Sequence, residues 1–292
     1  MPVTNFPKIS VVTPSFNQGK YLEATILSVI GQNYPNLEYF IIDGGSKDDS
    51  IDIIKKYEKH LTYWVSEKDN GLYDAVQKGF DRSAGEIMCW INSDDMLHPG
   101  SLSVAANIFM QHPDVNWIQG IPTVFDESGR TIFVKHLRFW SKYDYFIGDK
   151  EHIQQESTFW RRSLWAQAGG YVNTKMKLAG DYELWLRFFD HAELFCIQTI
   201  LGGFRVRTHN QMSKERMDEY NSEVSSVLQE RMKHLTEEEK KVLQSYRKNF
   251  NDKPATSTGL HKLFPKKKQV AFSYPSLIVF NTRKQIFEKQ AP

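Results

Sequence analysis

Four places in this 292-residue sequence put carboxylates or an imidazole where they could act on a ligand. Asp43 is followed by Gly44 and Gly45, so a carboxylate stands at a tight turn where the missing side chains let a flat ligand approach the backbone. An ordinary Asp-Gly turn has the same signature. Asp94 and Asp95 follow Trp90-Ile91-Asn92-Ser93. Adjacent carboxylates suit a hard divalent cation that bridges phosphate oxygens, and they equally suit a solvated turn ahead of Pro99. Asp181 opens an apolar helical run, as a reactive acid or simply as a first-turn residue. His209 follows a strand ending Phe204-Arg205-Val206-Arg207-Thr208, and most lone histidines are not ligands.

The elements that must position these residues can be read from periodicity. Apolar β-rich runs at 9–13, 37–43, 61–67 and 86–92 alternate with helical spacing in Leu22/Ile26/Val29/Ile30, Ile51/Ile54/Tyr57 and Leu72/Ala75/Val76/Phe80. That alternation predicts a βαβ sheet with crossover helices. The second helix is expected to be capped from the Asp48-Asp49-Ser50 cluster, and a fourth to start at Pro99. Polar clusters follow each strand directly: 13–17, 43–46, 67–74 and 92–95. All four fall at strand carboxyl ends, the edge where open α/β sheets bind ligands, so one site is expected there.

Past Asp126 the pattern predicts longer strands and aromatic-rich segments, so a second half, 126–212, is expected beside the first half, 1–125. A helical extension, 213–252, carries Tyr220, Val224, Val227, Leu228, Met232 and Leu235 on one face, and Thr236 with Glu239 has the spacing of a capping box. Residues 253–292 form a basic, aromatic tail.

Composition, 40% hydrophobic and 25% charged, is that of a globular protein with a real core. Cys89 and Cys196 lie in apolar runs without metal-ligand spacing and read as reduced core residues of a cytoplasmic protein. No apolar run has the length of a spanning helix, and no secretory leader is visible. The net charge of +2 is uneven: the tail has eight basic residues against Glu288, so it carries about +7 and the body about −5. Leu260, Leu263 and Phe264 beside Lys262 and Lys266 to Lys268 could rest on an anionic membrane or pack on the body. No nucleic-acid partner is expected.

In order and spacing, VVTPSFNQGKYLEATILSVIGQ, DGGSKDDS, SEKDNGLYDAVQKGF, GEIMCWINSDD, QQESTFWRRSLW, GDYELWLR and RVRTHNQMS resemble glycosyltransferase family 2, over about residues 9–213. The resemblance implies an inverting enzyme with the GT-A fold, a Rossmann-like mixed sheet flanked by helices, related to bacterial surface-polysaccharide transferases. It implies a nucleotide-sugar donor, most often of UDP, a glycan or lipid-linked saccharide acceptor, Mn²⁺ or Mg²⁺, and work at the inner face of the cytoplasmic membrane. Thr13, Pro14 and Ser15 would line the nucleotide pocket, with Asn17, Gly44, Gly71 and Ser93 in the same segments. Asp43 would hold the base, Asp69 and Asp74 the base and ribose side, and Asp94 the ribose or diphosphate. Asp95 would hold the metal, His209 would reach metal or diphosphate, and Asp181 would be the catalytic base. Trp160 and Trp185 are acceptor-binding candidates, with Trp140, Tyr143 and Tyr145 as further stacking rings. Gln77 replaces a frequent asparagine and Lys47 a small hydroxyl residue, both bearing on donor preference.

Other nucleotide enzymes fit less well: no GxGxxG follows the first strand and no GxxxxGK[ST] occurs. The Gly-rich, Arg-bearing loop of nucleotidyltransferases is also missing. The alternative from another class is a noncatalytic nucleotide-sugar-binding protein, which would have lost the base or the metal acid; Asp181 and Asp95 are both present.

Overall fold

The structure is a computed structural model that describes residues 6–147, 152–208, 211, 215–251 and 274–292. β1 (Ile9–Ser15) is buried along its whole length, as a strand covered on both faces must be. The chain then alternates α1 (Gly19–Ile30), β2 (Leu37–Asp43), α2 (Ser50–Tyr57), β3 (Tyr63–Ser66), α3 (Leu72–Arg82) and β4 (Ile87–Trp90). These are the four strands and three helices expected from periodicity.

β1, β2, β3 and β4 pair in parallel, and the register aligns Ser15 with Asp43 and Asp43 with Ser66. Three polar side chains therefore form a row at one carboxyl edge. The sheet continues through β9 (Thr158–Arg161), β6 (Trp117–Gln119) and β10 (Leu194–Cys196), in the order β10-β6-β9-β4-β1-β2-β3. β9 alone runs antiparallel to its neighbours. It turns a parallel sheet into a mixed one while keeping the carboxyl ends of β4, β6 and β10 on the same edge.

A second sheet lies across that edge: β5 (Met96–Leu97), β11 (Gly202–Arg205), β7 (Thr123–Phe125) and β8 (Thr131–Val134), in that order. Strands beyond Asp126 were expected to be longer, but each has three to five residues. Tertiary pairing with earlier strands, not local β propensity, holds them. The fourth helix, α4 (Ser101–Gln111), begins two residues after Pro99 because Met96 and Leu97 are taken up by β5. Asp49 makes no side-chain cap on α2. Instead Asp48 accepts hydrogen bonds from the amides of Gly19 (2.8 Å) and Ser50 (3.1 Å), so that cluster ties the starts of α1 and α2 together.

The short α5 (Lys142–Phe146) and α6 (Arg162–Gln167) flank β9, and α7 (Gly180–Phe188) follows. α8 (Met217–Lys233) and α9 (Glu237–Asn251) pack outside α5 and α7, with Val227 and Leu243 buried. The capping box ahead of α9 is present: the Glu239 amide donates to Thr236 Oγ1, and the Thr236 amide and hydroxyl donate to Glu239.

The last described segment is a hairpin, β12 (Leu277–Asn281) and β13 (Ile286–Gln290). Ile278 and Phe287 are buried against the body, the Phe287 amide donates to Gln111, and Lys289 pairs with Asp114. This part of the expected tail is packed on the protein. Leu260, Lys262, Leu263, Phe264 and Lys266 to Lys268 lie outside the described residues. Cys89 and Cys196 are buried free thiols, as expected, and burial pushes Cys196 up to about 12. Among the described residues no helix is long and apolar enough to cross a membrane.

Candidate active site

Three loops meet at the carboxyl ends of β1, β2 and β3. Asn17, at φ 51°, accepts the Lys47 amide on Oδ1 (2.8 Å), and its own amide donates to Ser46 Oγ (2.7 Å). Asp43 is fully buried and accepts four hydrogen bonds: from the Gly45 and Ser46 amides and Ser66 Oγ on Oδ2, and from Ser46 Oγ on Oδ1. Three of the four donors crowd Oδ2, so that oxygen is fully engaged within the protein. Asp43 therefore organises its loop, and Oδ1, which among the described residues accepts from Ser46 Oγ alone, keeps the remaining acceptor capacity. Thr13 and Pro14 are buried too, Thr13 bonded to the Tyr39 hydroxyl beneath the sheet edge. Ser15 Oγ is buried at the edge without a partner among the described residues, a hydroxyl that a ligand could satisfy.

The carboxylate that does face this edge is Asp69. A Cβ on Gly44 would stand 2.8 Å from Asp69 Oδ2, so glycine is required for that approach. Burial raises the Asp69 carboxyl above its ordinary value, against the pull of the Gly71 amide that donates to it. Asp74 accepts the Asn70 amide and pairs with Lys78 at 3.3 Å. Gln77 lies elsewhere: it accepts the Val172 amide and donates to Asp81, bracing α3. Its departure from the family pattern is thus structural.

At the end of β4 the two acids differ. Asp94 is half-buried and pairs with Arg207 at 3.0 Å. Asp95 is 1% exposed, accepts the Arg205 amide (2.7 Å) and the Asn92 side-chain amide (3.1 Å), and shares a hydrogen bond with Glu156. Burial, then repulsion from Glu156 and Asp94, holds the Asp95 carboxyl far above its usual range. The Asp95–Glu156 pair therefore titrates as a unit, and burial favours its protonated forms. Ser93 is buried in the same turn. Arg205 is buried, and its guanidinium donates to the Asp94 and Glu127 carbonyls. Arg207 also donates to Gln18. Two arginines two residues apart at the end of a strand share one face, which puts a positive pair beside the Asp94 turn.

Among the described residues no three His, Cys, Asp or Glu side chains form a metal-holding group, and His209 lies outside them. Mg²⁺-type cations take only one or two protein carboxylates and fill the rest with phosphate and water. Asp94 and Asp95 provide that number, and Asn92 Oδ1 is a buried hard oxygen without a partner beside them. The donor set fits such a cation.

Asp181 lies at the start of α7, partly open to solvent. The Tyr73 hydroxyl donates to the Leu178 carbonyl (2.8 Å) with Asp181 Oδ1 3.2 Å away. A Cβ on Gly180 would collide with the Tyr73 ring at 2.8 Å, so glycine lets α7 sit against α3. Burial raises the Asp181 carboxyl to about 6, opposed by the Tyr182 amide and the Tyr73 hydroxyl and reinforced by Glu223. Glu223, on α8, accepts the Lys177, Leu178 and Ala179 amides and so fixes the loop into α7. Glu156 is buried and feels the charges of both Asp181 and Asp94.

Trp160 and Trp185 are 0% and 1% exposed. They pack with Trp90 and Phe188 at ring separations of 5.5–5.9 Å. Their expected role as acceptor-stacking rings is corrected: they build the core that supports α7. Trp140, Tyr143 and Tyr145 are buried too.

Sequence reasoning missed Glu156, Arg205, Arg207, Tyr73 and Glu223. The Arg-Val-Arg alternation at a strand end and an acid inside an otherwise uncharged segment, Gln154-Gln155-Glu156-Ser157, were the available signals.

A family model described as glycosyl transferase family 2 matches residues 10–169. The chain is 29% identical over 206 residues to an uncharacterised glycosyltransferase of Mycobacterium tuberculosis, covering 69% of this chain and 76% of that one. It is 34% identical over 115 residues to TuaG of Bacillus subtilis, a putative teichuronic acid biosynthesis glycosyltransferase, covering 37% of this chain and 45% of TuaG. The solved structure of S. aureus TarS 1–349 in complex with UDP-GlcNAc is similar with a TM-score of 0.66 at 18% identity, covering 83% of this chain and 72% of that one.

Proposed function

Because this chain belongs to glycosyl transferase family 2 and has the GT-A fold, we propose that it moves a sugar from a UDP-linked donor to a hydroxyl of a glycan or lipid-linked saccharide, with inversion, in the assembly of a bacterial surface polysaccharide at the inner face of the cytoplasmic membrane. The observation that carries this reading is the pairing of a partly open Asp181, raised to about 6, with a separate acid-and-arginine turn at Asp94.

In this mechanism Asp181 accepts the proton of the acceptor hydroxyl as its oxygen bonds to the anomeric carbon. The bond from that carbon to the diphosphate breaks on the opposite face, so configuration inverts. A carboxylate near 6 is ionised at neutral pH yet more basic than an ordinary aspartate, which favours proton transfer. The arginines beside Asp94 face the charge that the diphosphate gains, and they act more on the transition state than on the ground state. Mn²⁺ or Mg²⁺ would be held by Asp94 and Asp95, and would neutralise the same charge. Ser15 Oγ and Asp69 are the side chains that would meet the nucleoside, with Asp43 holding their loop.

Thermal shift of the purified protein with UDP, GDP, dTDP and CMP, each with and without Mn²⁺, tests the donor side. A shift selective for UDP and enhanced by metal is expected. No shift with any nucleotide removes the donor assignment.

A further inference from the structure

A cavity of about 330 Å³ opens at the carboxyl ends of β6 and β10, away from the Asp43 loop. Its walls include Lys135, His136, Arg138 and His152, with Ile121 and Trp140 among the apolar surfaces, and no carboxylate among the described residues lines it. The contrast with the neighbouring site is sharp, since Asp69, Asp94, Asp95, Glu156 and Asp181 crowd the donor edge. Arg138 is held in place, stacked 4.0 Å from the Trp140 ring and 3.7 Å from Asp144, while Lys135 and His136 are exposed at the mouth. Fixed donors over an apolar floor attract an anion more strongly than the same groups in open water.

The cavity is one layer of tyrosines from the base. The Trp140 ring is 5.8 Å from Tyr145, and Tyr145 is 4.3 Å from Tyr182, the neighbour of Asp181. On its other side His152 Nδ1 is 3.3 Å from the Tyr220 hydroxyl, and Tyr220 feels the charge of Asp181. A group seated there would belong to the acceptor, behind the unit that presents its hydroxyl to Asp181.

We propose that this cavity is an acceptor subsite for an oxyanion, a phosphate or a carboxylate, carried by an acceptor unit behind the one that is glycosylated. The inference rests on the glycosyltransferase reading and narrows its acceptor to an anionic glycan or an anionic lipid-linked saccharide. Lys135 and His136 admit the charge, Arg138 fixes it, and the apolar floor takes the carbon face of the same unit.

The test uses the full chain saturated with UDP, so that the donor edge cannot capture the probe. Glycerol 3-phosphate and methyl glucuronide are titrated in turn, with glycerol and methyl glucoside as uncharged controls. Binding is followed by the imidazole proton signals of His136 and His152, assigned with His136→Gln and His152→Gln. The expected result is that at least one anion, and neither control, moves both signals; which anion acts distinguishes phosphate from carboxylate. Lys135→Ala should weaken that binding about tenfold, the scale of one charge-assisted hydrogen bond, and Lys135→Arg should restore it, with UDP affinity unchanged in both. Silence of both signals, equal response to the uncharged controls, or an unaltered affinity in Lys135→Ala overturns the subsite. Failure to bind UDP at all would instead sink the donor reading, and the anion titration remains readable without it.

Discussion

The two ends of the site use aspartate in opposite ways. Asp43, at the end of β2, is fully buried with four hydrogen bonds from its own loop and from Ser66. Asp181, at the start of α7, is partly open, has one phenol near one oxygen, and is raised to about 6. Both stand at the junction of an apolar element and a loop, and both looked equally reactive in the sequence. The difference is what surrounds them: hydrogen-bond donors consume a carboxylate, whereas desolvation without enough donors leaves it basic. On the proposed function, the Asp43 end of the site is framework and the Asp181 end is chemistry.

The strongest way to break this contrast is Asp181→Asn. Proton transfer to a positioned base is worth roughly 10²–10⁴-fold, so transfer should fall by about that factor while UDP affinity stays the same. The raised carboxyl also means that the folded protein holds this proton more tightly than the unfolded chain does. Ionising Asp181 as pH rises through about 6 thus costs folding stability. Asparagine removes that cost, which accrues between the ordinary value of 3.8 and about 6, so the melting temperature of the variant should exceed that of the parent at pH 8 and approach it only near 3.8. The same ionisation sets the acid side of the pH–rate profile: kcat/KM should fall as pH drops below about 6. Near-normal turnover in the variant, or a flat acid side, would take the base role away from Asp181.

The matching change at the other end is Asp43→Asn. An amide oxygen can keep the three donors on Oδ2 but turns an N–H₂ toward Ser46 Oγ, whose hydroxyl loses its acceptor, at roughly 1–3 kcal/mol. A lower melting temperature is expected, with nucleotide affinity lost along with the order of the loop. Should the variant melt like the parent and lose only UDP affinity, Asp43 would be a base-binding residue and the contrast would collapse.

How much of this was legible in the sequence follows the same division. The strands of the first half are uninterrupted apolar runs ended by polar clusters, and that local signal located the helices between them and the shared sheet edge that carries the acids at 43, 69, 94 and 95. What failed depended on partners distant in sequence. Whether Asp43 is free or consumed turns on Ser66, twenty-three residues on. Asp95 meets Arg205 across 110 residues. Trp160 and Trp185 look like sugar-stacking rings until β9 is seen inserted between β4 and β6, which buries both. A tryptophan carries no local mark of which side of a sheet it faces when its strand is four residues long.

The smallest expected effect tests how finely the chemical end is tuned. Glu223 grips three amides before α7 and adds negative charge near Asp181. Glu223→Gln keeps one acceptor oxygen and removes the charge, so the loop should remain largely in place while the repulsion on ionised Asp181 disappears. The acid side of the kcat/KM profile should then move to lower pH, by less than about one unit given a half-buried partner that is still screened by solvent, with kcat at pH 8 changed by less than about tenfold. A shift to higher pH would mean that the lost hydrogen bonds, not the lost charge, dominate. An unmoved profile with a much lower kcat would make Glu223 a purely structural clamp, and the tuning of Asp181 would rest on burial, the Tyr182 amide and Tyr73.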